Sequence, residues 1–181
     1  SLEPVLDAHA QGSIVEVSKG IEVLPFGGIH EGENTSESEH DHAAGDPHTW
    51  MDPNNVMVWV TNVSDALSQI DPYNAASYQQ NAAAYSQELS DLDLWIKTRV
   101  EEIPVENRKL VTDHESFGYF VKRYGFEMVG LVVNSISTNA SPSAQDLAIL
   151  EDTIQIQSIK AIFVDSTVNP ALAEQVAKDT G

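Results

Sequence analysis

The chain has 181 residues, of which 41% are hydrophobic, enough for one good-sized domain or two small lobes with a core. Its 28 acidic and 9 basic residues give a formal net charge of −19, and a surface of that sign repels nucleic acid. Cysteine is absent, which leaves His, Asp and Glu as the strong metal ligands. No run of about 18 apolar residues could span a bilayer. We therefore expect neither nucleic-acid binding nor a membrane-spanning segment in this chain.

The first part of the chain combines short patterns with one long polar segment. Leu2–Ala10 has a helical pattern, and Ile14–Phe26 alternates in places, as a strand leading to a turn does. Residues 28–46 are rich in Gly, Ser, Glu and His without apolar periodicity, which is typical of a mobile surface loop. Nothing caps the first helix, and a helical pattern stops at Gly181. We therefore expect a fragment of a longer protein.

Two Asp-Pro pairs predict helix starts. Asp52 and Pro53 open a helix, because Asp caps the first turn and Pro fits the first helical position. Asp71 opens a second, continuous helix over Tyr73–Ile103, which Pro104 ends. A helix of roughly 30 residues is about 45 Å long. It either connects two lobes as a rigid spine or lies within one core.

After this helix, strand and helix patterns alternate to the end of the chain. In order they are KLVTD, SFGYFVKRYG, EMVGLVV, SAQDLAILEDTIQIQ, KAIFVD and a final helix. This alternation predicts an α/β fold with a parallel sheet and helices on its faces. Ligands of such folds usually lie at the carboxyl ends of the strands.

Two histidines are the strongest candidates for metal ligands. His48 lies in DPHTWMDP, directly before a helix start, where Trp50 is expected to anchor the segment to the core. His114 follows the strand KLVTD, and Asp113 and Glu115 flank it as candidate acceptors for its ring N–H. Each is therefore a candidate metal ligand. A helix cap for His48 and an ordinary loop role for His114 stay open as alternatives.

The polar loop carries three further histidines. His40 and His42 stand two apart among carboxylates, so both could reach one cation, and His30 lies upstream. Because an ion would have to order the loop, we predict at most a weak metal site there. The alternative is a solvated polar loop without a bound ion.

Catalytic patterns are missing from the sequence. It contains no HExxH, no Gly-x-Ser-x-Gly, no glycine-rich phosphate loop and no dinucleotide fingerprint. A metal-dependent hydrolase stays an alternative, because His and carboxylate groups can activate water, but no Glu lies at helical spacing from either candidate ligand. We therefore predict that the chain is not an enzyme.

Several motifs together resemble the zinc and manganese solute-binding proteins of ABC importers, a family of metal receptors sometimes described as adhesins. The motifs are SLEPVL, VSKGIEVL, the His- and acid-rich loop, DPHTWMDPNN, the long helix, DHESFGYFVKRYG, SPSAQDLAIL and KAIFVDSTVNPALAEQVAKDTG. They follow the family's order over nearly the whole chain.

The resemblance implies two α/β lobes with parallel-type sheets flanked by helices, joined by one long rigid helix, with both lobes incomplete here. Residues 1–70 would belong to the N-terminal lobe, 71–104 to the linking helix and 105–181 to the C-terminal lobe. His48 matches the family's second ligand and His114 its third. The first and fourth ligands would then lie outside this chain.

The function implied is a high-affinity receptor that binds a divalent metal ion and delivers it to the membrane permease of an ABC importer. It would be periplasmic or extracellular, with a lipid anchor on a missing N-terminal segment as one option. We predict Zn²⁺, with Mn²⁺ as the alternative, because both identifiable ligands are imidazoles. In the family's manganese receptors the position of His114 is commonly a Glu. A surface adhesin of the same family is the alternative function.

Overall fold

The computed structural model describes residues 12–25, 45–133, 142–166 and 169–181. These ranges contain α1 (Pro53–Ile70), α2 (Ala75–Glu101), β1 (Lys109–Thr112), α3 (Gly118–Tyr124), β2 (Glu127–Leu131), α4 (Ala144–Ile156), β3 (Ile162–Phe163) and α5 (Ala171–Thr180). Short 3₁₀ turns cover Thr49–Met51, Pro72–Asn74 and Val105–Asn107. Two compact units share these elements, one drawn from Ser1–Glu22 and Pro53–Trp95, the other from Val23–Asp52 and Ile96–Gly181.

In the first unit, α1 begins at Pro53, as its Asp-Pro pair predicts. The second pair forms the 3₁₀ turn that leads into α2. There the Asp71 carboxylate accepts hydrogen bonds from the backbone N–H of Asn74 (3.4 Å), from the Asn74 side chain (2.7 Å) and from the Tyr78 hydroxyl (2.9 Å). The hydrogen bond from the Asn74 side chain, and then the one from the Tyr78 hydroxyl, hold the pKa of Asp71 below its ordinary value.

Helix α2 is unbroken from Ala75 to Glu101. This confirms the predicted continuous helix, although the observed helix is slightly shorter than predicted at both ends. Its C-terminal end tightens, because the N–H of Ile103 donates to the carbonyl of Val100, three residues back. The apolar side chains of this helix are only partly buried: Leu89 is 6% exposed, whereas Tyr85 is 48% exposed. A role of this helix as the link between two lobes stays a prediction.

In the second unit the three strands form a parallel sheet in the order β2-β1-β3. The sheet confirms the alternation of strands and helices that the sequence predicts. Its core is a cluster of buried apolar side chains from the sheet, α4 and α5. The cluster contains Val111, Val132, Leu150, Ile154, Ala173 and Val176. Because β1 is the central strand, its carboxyl end is held by a neighbour on each side.

The predicted strand over Ile14–Phe26 is wrong for its described part, residues 14–25, which form a turn at 17–20 and no strand. Alternation alone does not make a strand, because a neighbouring strand must supply hydrogen-bond partners. Here the side chain of Asn62 in α1 instead forms hydrogen bonds with two backbone carbonyls of this segment. Its amide nitrogen donates to the carbonyls of Val17 (2.8 Å) and Lys19 (2.9 Å).

Among the helices that the structure describes, none combines the length and the apolar character that crossing a bilayer requires. The predicted helix over Leu2–Ala10 and residues 28–44 of the predicted loop lie outside the described residues.

Replacing Asp71 with alanine is expected to lower the urea midpoint of unfolding near pH 7, because the turn before α2 loses its cap. The folded-state pKa lies below the ordinary value of 3.8. The Asp71 carboxylate therefore contributes its full stabilisation above the ordinary pKa, and this stabilisation is lost as the pH falls through the lowered folded-state pKa. Urea unfolding of parent and variant near pH 7 and well below pH 3.8 measures this.

The matched control is Asp65→Ala, which removes an exposed carboxylate from α1. Its effect on the midpoint should be small at both pH values. A difference between the parent and the Asp71 variant that stays the same at low pH would contradict the assigned role of the ionised carboxylate.

Candidate metal centre

The carboxyl end of β1 carries an unbroken run of buried polar residues. They are Thr112, Asp113, His114, Glu115 and Ser116, each at most 8% exposed. The backbone of Asp113 is fixed from both sides: its N–H donates to the Phe163 carbonyl in β3 (3.0 Å), and its carbonyl accepts from the N–H of Val133 (2.8 Å). Burial of polar groups costs free energy unless partners compensate. The run is therefore a candidate functional site rather than ordinary core.

His114 is held in this run by its backbone and flanked by a carboxylate. Its carbonyl accepts a hydrogen bond from the Thr112 hydroxyl (2.8 Å). Its ring Nδ1 lies 3.0 Å from Oδ2 of Asp113, within ion-pair distance but without hydrogen-bond alignment. Both carboxylate oxygens of Asp113 and this Nδ1 are buried without a hydrogen-bond partner among the described residues. With Nδ1 turned to the carboxylate, Nε2 is the ring nitrogen left to bind a ligand.

The carboxylate of Asp46 holds both the backbone and the ring of His48. One oxygen of that carboxylate accepts from the backbone N–H of His48 (2.9 Å) and lies 2.7 Å from its ring Nδ1. A carboxylate on Nδ1 favours the tautomer whose free Nε2 binds a metal. Trp50, which is expected to anchor this segment to the core, is 48% exposed, and its ring meets that of His48 edge-on with the centroids 5.3 Å apart. The buried residues here are Asp46, His48 and Thr49.

Tyr119 in α3 holds the segment before His48 in place. Its hydroxyl donates to the carbonyl of Asp46 (2.9 Å) and accepts from the N–H of Leu24 (3.1 Å). The neighbouring Gly118 permits close approach, because a Cβ there would lie 2.8 Å from a carboxylate oxygen of Asp46. Sequence reasoning missed both Tyr119 and Asp46. The contacts of Tyr119 join positions 73 and 95 residues apart, whereas Asp46 lies only two residues before His48 and could have been found from that spacing.

The fold brings the two predicted principal ligands together. The ring centroids of His48 and His114 lie 5.5 Å apart, with an angle of 64° between the planes. Two imidazoles that bind one tetrahedral ion at about 2.0–2.1 Å have centroids about 5 Å apart, so the spacing fits a shared ion. The described residues contain no group of three or more candidate ligands arranged around a metal, so the pair would need further ligands. His30, His40 and His42 lie outside the described residues.

The charges around the pair favour a cation. Asp46, Asp113 and Glu115 are buried with the two histidines, whereas no lysine or arginine is buried in the part of the chain that the structure describes. A buried site with carboxylates and imidazoles, and without fixed positive side chains, suits a metal ion and disfavours an anion.

The curated relatives that match this chain include two metal-binding proteins of bacteria. The iron-binding protein YfeA of Yersinia pestis is 36% identical over 135 residues, which are 75% of this chain and 43% of that protein. The manganese-binding lipoprotein MntA of Halalkalibacterium halodurans is 32% identical over 180 residues, which are 99% of this chain and 55% of that protein. The chain thus spans about half the length of the curated relatives it matches.

Solved structures share the fold. A crystal structure of ZnuA matches with a TM-score of 0.80 and 25% identity, over 99% of this chain and 63% of that one. The laminin binding protein Lmb of Streptococcus agalactiae matches with a TM-score of 0.73 and 28% identity, over 92% of this chain and 57% of that one. It is described as a bifunctional protein with adhesin and metal transporting activity. The predicted mixture of helices with a parallel sheet is confirmed by these likenesses.

A family profile matches the chain from end to end. Its description is "ZnuA: Zinc-uptake complex component A periplasmic", and the match covers residues 1–181. The resemblance inferred from the sequence motifs is therefore confirmed, and so, at the level of the family, is the prediction that the chain is not an enzyme. The chain belongs to the ZnuA family of metal-binding receptor proteins.

Proposed function

We propose that this protein is an extracytoplasmic receptor that binds a divalent metal ion and delivers it to the membrane permease of an ABC importer. The observation that carries the proposal is the pair of buried imidazoles, His48 and His114, whose ring centroids lie 5.5 Å apart. Membership of the ZnuA family supports the same function. The ion is cargo, so the site has to bind it tightly and still release it to a partner.

The two ligands come from different segments of the second unit. His48 stands at the start of the 3₁₀ turn Thr49–Met51, and His114 lies two residues beyond the end of β1. An ion held by both would cross-link these segments. Because Asp46 already fixes the ring of His48, little side-chain entropy is lost when that ligand binds. The fixed ring therefore contributes affinity without a rearrangement at its own position.

The family supports an extracytoplasmic compartment. The family's description names a periplasmic component, and the relative MntA is named a lipoprotein. We extend the extracytoplasmic location to this protein. A lipid anchor stays a prediction.

Replacing either His48 or His114 with alanine in the intact protein is expected to weaken zinc binding by about 100-fold or more, roughly 2.7 kcal/mol, because each removes a direct ligand. Competition titration against a chelator of known affinity measures the loss, with circular dichroism to verify folding. His9→Ala is the control, since this histidine lies in the predicted helix Leu2–Ala10 and is interpreted from the sequence as a surface residue. Parental affinity in both ligand variants would contradict the proposal.

We further propose that zinc is preferred over manganese. Nitrogen ligands suit zinc, whereas manganese favours more oxygen ligands. Zinc outranks manganese at almost any such site, so tight zinc binding alone is weak support. The sharper test is the ratio of zinc to manganese affinity in the intact protein and in its His114→Glu variant. The substitution should lower the ratio of zinc to manganese affinity. An unchanged ratio would contradict the argument that His114 favours zinc.

The polar loop is proposed as an accessory site that collects metal through His30, His40 and His42. Deleting residues 28–44 from the intact protein should leave the tightest zinc-binding event within about tenfold, or roughly 1.4 kcal/mol, of the parent. Only weaker binding events should disappear from the titration. Loss of the tightest event would show that the principal site depends on the loop.

An adhesin is the second candidate function, and the likeness to the laminin binding protein Lmb favours it. Binding of the intact protein to immobilised laminin, compared with the His48→Ala variant, separates the two functions. Saturable binding that survives the loss of the metal ligand would support adhesion as an additional activity.

A further inference from the structure

In the part of the chain that the structure describes, the carboxylate of Asp113 has none of the hydrogen bonds that a buried charge normally has. The residue is 3% exposed, and both of its side-chain oxygens are buried without a hydrogen-bond partner among the described residues. The imidazole Nδ1 of His114 is 3.0 Å away but is also without a hydrogen bond in that part of the chain. An isolated buried carboxylate is among the costliest groups to keep in a folded protein.

The backbone allows Asp113 little freedom to avoid this position. Its N–H and carbonyl are engaged on opposite sides, by Phe163 at 3.0 Å and by Val133 at 2.8 Å. These two hydrogen bonds therefore fix the backbone of Asp113 directly beyond the end of the central strand. A different placement of the carboxylate would require a change of side-chain rotamer within a packed environment.

Asp46 provides the internal comparison. It is also 3% exposed and also stands beside a candidate ligand. One of its oxygens, however, accepts hydrogen bonds from the backbone N–H of His48 at 2.9 Å and from its ring at 2.7 Å. The carboxylate of Asp46 thus accepts hydrogen bonds from His48, whereas that of Asp113 has no hydrogen-bond partner within the described ranges.

We propose that Asp113 is a positioning residue whose negative charge is compensated by the metal ion that His114 binds. This inference rests on the proposed function. An ion on Nε2 of His114 polarises the N–H on the other side of the ring, and a carboxylate beside that N–H then becomes favourable. The positive charge of the ion also offsets the carboxylate directly. The charge of Asp113 consequently lowers the stability of the folded metal-free protein and raises its affinity for the metal ion.

This proposal predicts effects of opposite sign from one substitution. Asp113→Asn keeps the shape of the side chain and removes its charge. In the intact protein it should raise the unfolding temperature of the metal-free form and weaken zinc binding by about 10- to 100-fold. Calorimetry of the chelator-treated protein and competition titration with zinc measure the two effects.

Asp46→Asn is the matched variant. The asparagine retains the oxygen that accepts both bonds from His48, so removal of that charge relieves no unpaired group. The unfolding temperature of its metal-free form should therefore not rise. An equal rise in both variants would assign the effect to general loss of negative charge and would overturn the proposal.

The remaining outcomes separate this inference from the proposed function. If the parent protein binds no zinc, the proposed function itself fails. If the parent binds zinc while Asp113→Asn retains full affinity, or unfolds at a lower temperature without metal, Asp113 is an ordinary structural residue and only the inference fails. A variant that does not fold overturns the inference as well, because the proposal requires the metal-free variant to be the more stable protein.

Discussion

The pairing of each buried histidine with a carboxylate is the interaction on which the candidate site depends. For His48 the pairing is a hydrogen bond of 2.7 Å from the ring to Asp46. Asp46 is in turn held through its carbonyl by Tyr119 at 2.9 Å and through its N–H by Leu24 at 2.8 Å. The orientation of one imidazole is therefore set by a chain of hydrogen bonds that begins in α3. Removing any one of these hydrogen bonds would let the His48 ring move, although His48 itself would be unchanged.

The sheet positions the backbone of His114. The core side chains of β1, α4 and α5 fix the central strand, and the strand ends at Thr112, directly before the buried polar run. Apolar packing thus supplies the free energy that lets the chain keep acidic groups out of water at this point. The chain's net charge of −19 attracts cations only diffusely. Selective binding has to come from the local arrangement of imidazoles and carboxylates.

The sequence predicts those features that depend on neighbours along the chain. Asp71 and its proline mark the approach to α2, and the alternation after Pro104 predicts the parallel sheet. The local sequence marks His48 and His114 as candidate metal ligands, and the family resemblance implies that they share one site. Sequence reasoning misses Tyr119, because its hydroxyl acts on a segment 73 residues away. It also misassigns Ile14–Phe26, since alternation carries no information on whether a partner strand is present.

The central claim is that one ion is shared by His48 and His114. A crystal structure of the intact protein with zinc, recorded at wavelengths on either side of the zinc absorption edge, tests it most directly. An anomalous peak at about 2.0–2.1 Å from Nε2 of both imidazoles is the expected result. A zinc-saturated crystal that shows zinc at another site and no anomalous peak beside either imidazole would contradict the claim.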